Sequence, residues 1–166
     1  RAGAPGAEGR RVKNIRSAAG PTMLDFEIFL TNRCNLACAY CSSRHLRAEK
    51  ETKSLSFEQL KSFVDLVSRD RRVRRHFTGT TKVLFSGGEP LLEFGLIKKT
   101  VDYIRANRLD FKLAVMTNGT LLTRSRLDYF LRNGVYVGIS LDGDRERNDR
   151  HRKFAGGGGS VFDRVM

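Results

Sequence analysis

Strand-like and helix-like stretches alternate along this chain, and that alternation limits the folds open to it. In residues 23–30, Phe26, Ile28 and Leu30 recur at every second position, the period of a strand. Residues 56–68 then carry Leu60, Phe63, Val64 and Val67 at i, i+3, i+4 and i+7, one apolar face of a helix. Ser56 and Gln59 form the Ser-x-x-Gln pattern of a capping box at its start. Residues 82–85 read as a second strand and 111–116 as a third. Between them, residues 91–105 predict a second helix, with Leu92, Leu96, Ile97, Val101 and Ile104 on one side. Thr123 can cap a third helix, lined by Leu127, Phe130 and Leu131 and stopped at Asn133-Gly134. Residues 135–141 are nearly all apolar, as a parallel strand covered on both faces should be. A further helix begins near Val161, after a tetraglycine at 156–159 that reads as a flexible link. Strands separated by helices predict an α/β fold built on a parallel sheet.

With 166 residues, the chain has room for one domain and a real core. Residues 1–22 are rich in Ala, Gly and Arg without hydrophobic period, so they read as a flexible basic tail. That leaves 23–166 as the core domain. The chain starts on Arg rather than Met, and its last helix has a start without an end, so the expectation is a core truncated at its C-terminal end. The net charge of +13 brings nucleic acid into consideration. The densest basic run, 69–75, has no interleaved aromatics and no accompanying nucleic-acid motif, so a solvated surface, or one facing an acidic peptide or protein, fits it better. No segment is long and apolar enough to span a membrane, and no signal-peptide core is present.

The cysteines carry the chemistry. Cys34, Cys38 and Cys41 are the only three in the chain, spaced C-x3-C-x2-C in the loop that follows the first strand. Three thiolates can hold three corners of a 4Fe–4S cluster and leave one iron open, since such a cluster ordinarily takes four cysteines. The same residues with His45 would make a Cys3His zinc site. A disulfide would leave one thiol over. Thiolates and an oxygen-sensitive cluster both point to a reducing cytoplasm. After the second strand stands Gly87-Gly88-Glu89-Pro90, where the glycines permit close backbone approach and Pro90 holds Glu89 extended. Taken alone, that tetrapeptide is a plain turn.

The spacing of the cysteines, with Tyr40 just before the last, resembles the C-x3-C-x-aromatic-C signature of the radical SAM superfamily. The resemblance extends through Gly87-Gly88-Glu89, Thr117-Asn118-Gly119 and the stretch from Ser140-Leu-Asp-Gly to Arg152, in that order. The last stretch is similar to SPASM-type members such as the anaerobic sulfatase maturases, with Asn148 in the place of their usual His. Membership implies a partial β/α barrel of about six units, of which four strands are visible here. It implies a 4Fe–4S cluster on Cys34, Cys38 and Cys41, with S-adenosylmethionine chelating the open iron. Gly87, Gly88 and Glu89 then match the binders of the methionine amino group. Ser140 and Arg152 match those of its carboxylate, and Arg suits a carboxylate because its guanidinium bonds both oxygens. Tyr40 would pack near the adenine and Asn118 would make a ribose or other polar contact. The implied reaction is reductive cleavage of S-adenosylmethionine to methionine and a 5′-deoxyadenosyl radical that abstracts hydrogen from a peptide or protein. An electron donor such as flavodoxin or ferredoxin is implied as a partner. The rival enzyme reading is a molybdenum-cofactor-type cyclase; the rival from another class is a zinc or nucleic-acid-binding module without catalysis.

Overall fold

The computed structural model describes residues 23–43, 53–71, 73 and 79–166. The tail at 1–22, His45, and residues 72, 74 and 75 of the basic run lie outside them. Among the described residues, four strands form one parallel sheet in the order β1 (Met23–Phe29), β2 (Thr80–Ser86), β3 (Phe111–Thr117) and β4 (Val135–Ile139). The helices are α1 (Phe57–Arg69), α2 (Phe94–Ala106), α3 (Arg124–Arg132), α4 (Arg145–His151) and α5 (Val161–Val165). The helix expected from residue 91 is divided, because Pro90–Glu93 form a 3-10 turn before α2 begins.

The helix starts follow their caps. Ser56 Oγ accepts from Gln59 N at 3.2 Å while Gln59 Oε1 accepts from Ser56 N at 2.8 Å, closing the predicted capping box. Thr123 Oγ1 accepts from Arg126 N and caps α3. The predicted apolar faces then meet in one core. Leu60, Val64 and Val67 of α1, Ile97, Val101 and Ile104 of α2, and Phe130 of α3 pack with Val83, Phe85, Leu113, Val115 and Val135 of the sheet. Phe63 adds an edge-to-face contact with Phe26, with ring centroids 5.0 Å apart.

This core covers only one side of the sheet. Alternation along each strand turns Glu27, Phe29, Lys82, Met116 and Tyr136 to the other side, where Tyr136 is 73% exposed. β4 is therefore not covered on both faces, as its composition predicts. α1, α2 and α3 all contribute to a single core on one face, the arrangement of β/α units curling toward a barrel with its helices outside. Because every strand runs the same way, the segments after Phe29, Ser86, Thr117 and Ile139 all emerge along one edge of the sheet.

Candidate cofactor site

That edge carries a cavity of about 290 Å3. Cys34, Cys38, Tyr40, Cys41, Gly87, Gly88, Glu89, Asn118, Ser140 and Arg152 all line it. These ten residues, all singled out by the sequence, thus share one cavity.

Backbone pairing fixes the cysteine loop from two sides. On one, Gly88 N donates to Thr31 O at 2.8 Å and Glu89 N to Arg33 O at 2.7 Å. The two glycines are needed for this approach. A Cβ on Gly87 would lie 2.6 Å from Thr31 O, and one on Gly88 would lie 2.0 Å from Arg33 O. Gly87 also has φ +129°, in the region that favours glycine. Their bare side therefore faces the cysteine loop, whereas the sequence reading turns it to a ligand. On the other side, the chain after α4 runs antiparallel to the loop. Ala37 N donates to Lys153 O at 2.7 Å, Ala39 N to His151 O at 2.9 Å, and Ala155 N to Asn35 O at 2.9 Å. Sequence reasoning missed this contact, because backbone groups make it and no residue type announces it.

Glu89 is 1% exposed. Its Oε1 accepts from Leu91 N at 3.0 Å, capping the 3-10 turn, and from Thr117 Oγ1 at 2.6 Å. Its Oε2 accepts from Asn118 N at 2.8 Å. Burial lifts its pKa above the usual carboxylate range, against the pull of these three donors. A carboxylate offers about four lone-pair sites, so one remains on Oε2. Asn118 is knitted to the cysteine loop. Its Nδ2 donates to Asn35 Oδ1 at 2.9 Å and points at Cys34 Sγ from 4.0 Å, while its Oδ1 accepts from Thr120 N and Thr120 Oγ1. Asn35 Nδ2 closes the ring on Thr120 Oγ1 at 2.8 Å. Asn35, Thr117 and Thr120 are supporting residues to which the sequence assigns no role.

At the opposite wall, the Tyr40 hydroxyl donates to Asp142 Oδ2, and Arg152 Nη2 donates to Asp142 Oδ1 at 3.1 Å. The guanidinium lies over the Tyr40 ring, 5.5 Å from its centroid. Burial and the bond to Asp142 push the Tyr40 phenol up to about 12. Burial would raise Asp142, but the bonds from Arg152 and Tyr40 outweigh it and hold the carboxyl below its usual range. Among the described residues, the buried Arg152 Nε and Ser86 Oγ find no hydrogen-bond partner. Ser140 N donates to Thr117 O at 2.9 Å, which places that residue on the rim.

The cavity suits a cluster with an amino acid beside it. No disulfide ties up the three thiols. Leu36 N donates to Cys34 Sγ at 3.4 Å. Among the described residues, no three His, Cys, Asp or Glu side chains are gathered tightly enough to hold a single metal ion. A cluster asks each thiolate to hold a different iron. Glu89 keeps an acceptor for an ammonium, and Arg152 keeps a buried donor for a carboxylate.

A thiol-lined cavity at the strand ends of a one-sided β/α sheet defines a cluster-binding half-barrel. The sequence pattern of the Radical SAM superfamily matches residues 28–166, and the chain belongs to that superfamily of enzymes, which pair a 4Fe–4S cluster with S-adenosylmethionine (AdoMet). Fe-coproporphyrin III synthase of Methanosarcina barkeri is 35% identical over 138 residues, 82% of this chain and 31% of that protein. The serine-type anaerobic sulfatase-maturating enzyme of Bacteroides thetaiotaomicron is 34% identical over 130 residues, 72% of this chain and 29% of that one. The solved structure of anSMEcpe with bound AdoMet matches with a TM-score of 0.71 and 28% identity, covering 87% of this chain and 38% of that one. Another structure of anSMEcpe holds AdoMet together with Cp18Cys peptide. The chain spans about a third of the length of the relatives it matches. No helix among the described residues is long and apolar enough to cross a membrane.

Proposed function

We propose that this chain is the cofactor-binding part of a radical enzyme that modifies a peptide or protein. Cys34, Cys38 and Cys41 would hold the cluster, with AdoMet beside it. The observation that carries this reading is the single cavity in which the three thiols, the Gly87-Gly88-Glu89 loop, Asn118, Ser140 and Arg152 meet. The chemistry such a cofactor pair supplies is reductive cleavage of AdoMet to methionine and a 5′-deoxyadenosyl radical, the species that takes hydrogen from the substrate.

The chain's own residues bind and orient. The two backbone ladders hold the cysteine loop in place. Glu89, fixed by three donors, offers its remaining lone pair to the methionine ammonium. Ser140 and Arg152 take the carboxylate, and Tyr40 gives the adenine a ring to pack against. The peptide class is supported by the sulfatase-maturating relative and by the anSMEcpe complex with Cp18Cys peptide. The Asp142-Gly143 turn after β4 fits this class better than the cofactor-cyclase class. The basic charge suits an acidic electron donor such as flavodoxin or ferredoxin. The test is anaerobic reconstitution of the protein containing this chain with iron and sulfide, then reduction with AdoMet present. About four irons per chain and released 5′-deoxyadenosine are expected. One zinc per chain and no iron would overturn the reading.

A further inference from the structure

We infer that Asp142 is a positioning residue that pins Arg152 for a ligand carboxylate; this rests on the reading that Arg152 binds the methionine carboxylate of AdoMet. Arg152 sits at a junction of three segments. Its backbone N donates to Asn148 O at 2.8 Å, which ties it to the end of α4. Its neighbours His151 and Lys153 pair with Ala39 and Ala37 of the cysteine loop. The Cα is therefore fixed on the cysteine loop, while the long side chain beyond it still has several rotatable bonds.

Asp142 removes that freedom. Arg152 Nη2 donates to Asp142 Oδ1, and the guanidinium plane is backed by the Tyr40 ring. Asp142 is held in turn. Its Oδ2 accepts from the Tyr40 hydroxyl, and its own N donates to Asn148 Oδ1 at 3.3 Å. Asn148 is fully buried, with its Nδ2 on Asp149 Oδ1, so the loop that carries Asp142 is anchored from below. The Arg152 side chain is only 12% exposed and that of Asp142 27% exposed. A guanidinium so enclosed needs a resident hydrogen-bond acceptor before any ligand arrives. One Arg donor goes to Asp142, Nε is left buried without a partner, and the fork stays set for a second carboxylate.

Two probes separate positioning from general damage, both measured by calorimetry on the anaerobically reconstituted protein. S-adenosylhomocysteine carries the carboxylate and is not reductively cleaved. 5′-Methylthioadenosine shares its adenosine thioether and lacks the amino acid. In Asp142→Ala, S-adenosylhomocysteine should bind about three- to tenfold more weakly, the cost of ordering one long side chain on binding. 5′-Methylthioadenosine should lose less than S-adenosylhomocysteine, because its only exposure to the change is through the Tyr40 hydroxyl that Asp142 held, and its retained binding also reports an intact fold. Asp142→Asn keeps an acceptor for Arg152 and should restore affinity for S-adenosylhomocysteine to within about twofold of the wild type. Unchanged or tighter S-adenosylhomocysteine binding in Asp142→Ala would overturn the inference, the second by making Asp142 a competitor of the ligand. An equal loss in Asp142→Asn, or equal losses for both probes, would overturn it too. Arg152→Ala tests the underlying reading alone: undiminished S-adenosylhomocysteine affinity there would remove Arg152 from the ligand and Asp142 with it.

Discussion

Replacing Gly88 by alanine should pull the cysteine loop away from the sheet edge. The added Cβ would stand 2.0 Å from Arg33 O and 2.5 Å from Arg33 C, both backbone atoms that no side-chain rotation can move aside. Real Cβ atoms keep at least 3.0 Å, so the two loops must part by 1.0 Å or more, the difference between 3.0 and 2.0 Å. The bonds Gly88 N–Thr31 O and Glu89 N–Arg33 O, at 2.8 and 2.7 Å, then stretch to the limit of hydrogen bonding. Losing both costs about 1–3 kcal/mol at a typical net value per bond. For a chain of this size that lowers the melting temperature by roughly 2–12 °C. Arg33 directly precedes Cys34, so iron loading should fall as well. Gly95→Ala is the control, because nothing lies within 4 Å of that Cβ position, on the exposed second residue of α2. It should be neutral or stabilise by up to about 1 kcal/mol through helix propensity. Thermal unfolding of the apo protein and iron per chain after reconstitution are the assays. A Gly88→Ala variant that melts within about 1 °C of wild type and loads the same iron would refute the packing argument.

Three further outcomes are expected. Cys38→Ala should fail to assemble a four-iron cluster, because two thiolates leave a second iron unprotected; a full iron and sulfide count in that variant would contradict the ligand assignment. Glu89→Gln should cost about 2 kcal/mol in urea unfolding. With its oxygen kept on Leu91 N and Thr117 Oγ1, its amide nitrogen must face the Asn118 N–H, donor against donor; unchanged stability would sink that account. At Asp102, burial pushes the carboxyl upward, but donation from Lys98 at 2.6 Å and Tyr129 at 2.7 Å outweighs it and holds the pKa below its usual value. A depressed folded pKa gives stability that is present above the ordinary value of about 3.9 and is lost as pH falls through the folded value. Asp102→Asn should therefore be less stable than wild type near pH 7, with the gap closing as pH falls into the acid range below the ordinary carboxylate value; a gap of constant size in acid would speak against the shift.

The fold was legible wherever burial is apolar and periodic. The faces Leu60-Val64-Val67 and Ile97-Val101-Ile104 entered the core as their spacing predicts, and Ser56, Gln59 and Thr123 cap as their side chains allow. Helix α4 escaped because hydrophobic periodicity cannot register it. Its one buried residue is Asn148, and its remaining signal was Asp144, whose carboxylate accepts from Arg147 N as a cap. β4 misled in the opposite direction. Its apolar composition predicts cover on both faces, but with α1, α2 and α3 on one side of the sheet, Tyr136 on the other side remains exposed.

At the site, residue types that carry chemistry were legible and the reasons for their positions were not. Thiols, a carboxylate and an arginine announce themselves by type. Nothing in the sequence pairs residues 35–39 with 151–155, because amides and carbonyls make that ladder. Glu89 shows how far the two levels can diverge. Read from sequence, it is a ligand group that follows two permissive glycines. In the fold, the same carboxylate caps the 3-10 turn and fastens the end of β3, with one lone pair left for a ligand. A loss of cofactor binding on substituting Glu89 is therefore a sum of two effects. Only the part that exceeds the loss of apo stability belongs to ligand contact, so unfolding of the apo protein has to be measured before any Glu89 variant is used to argue for a role in binding.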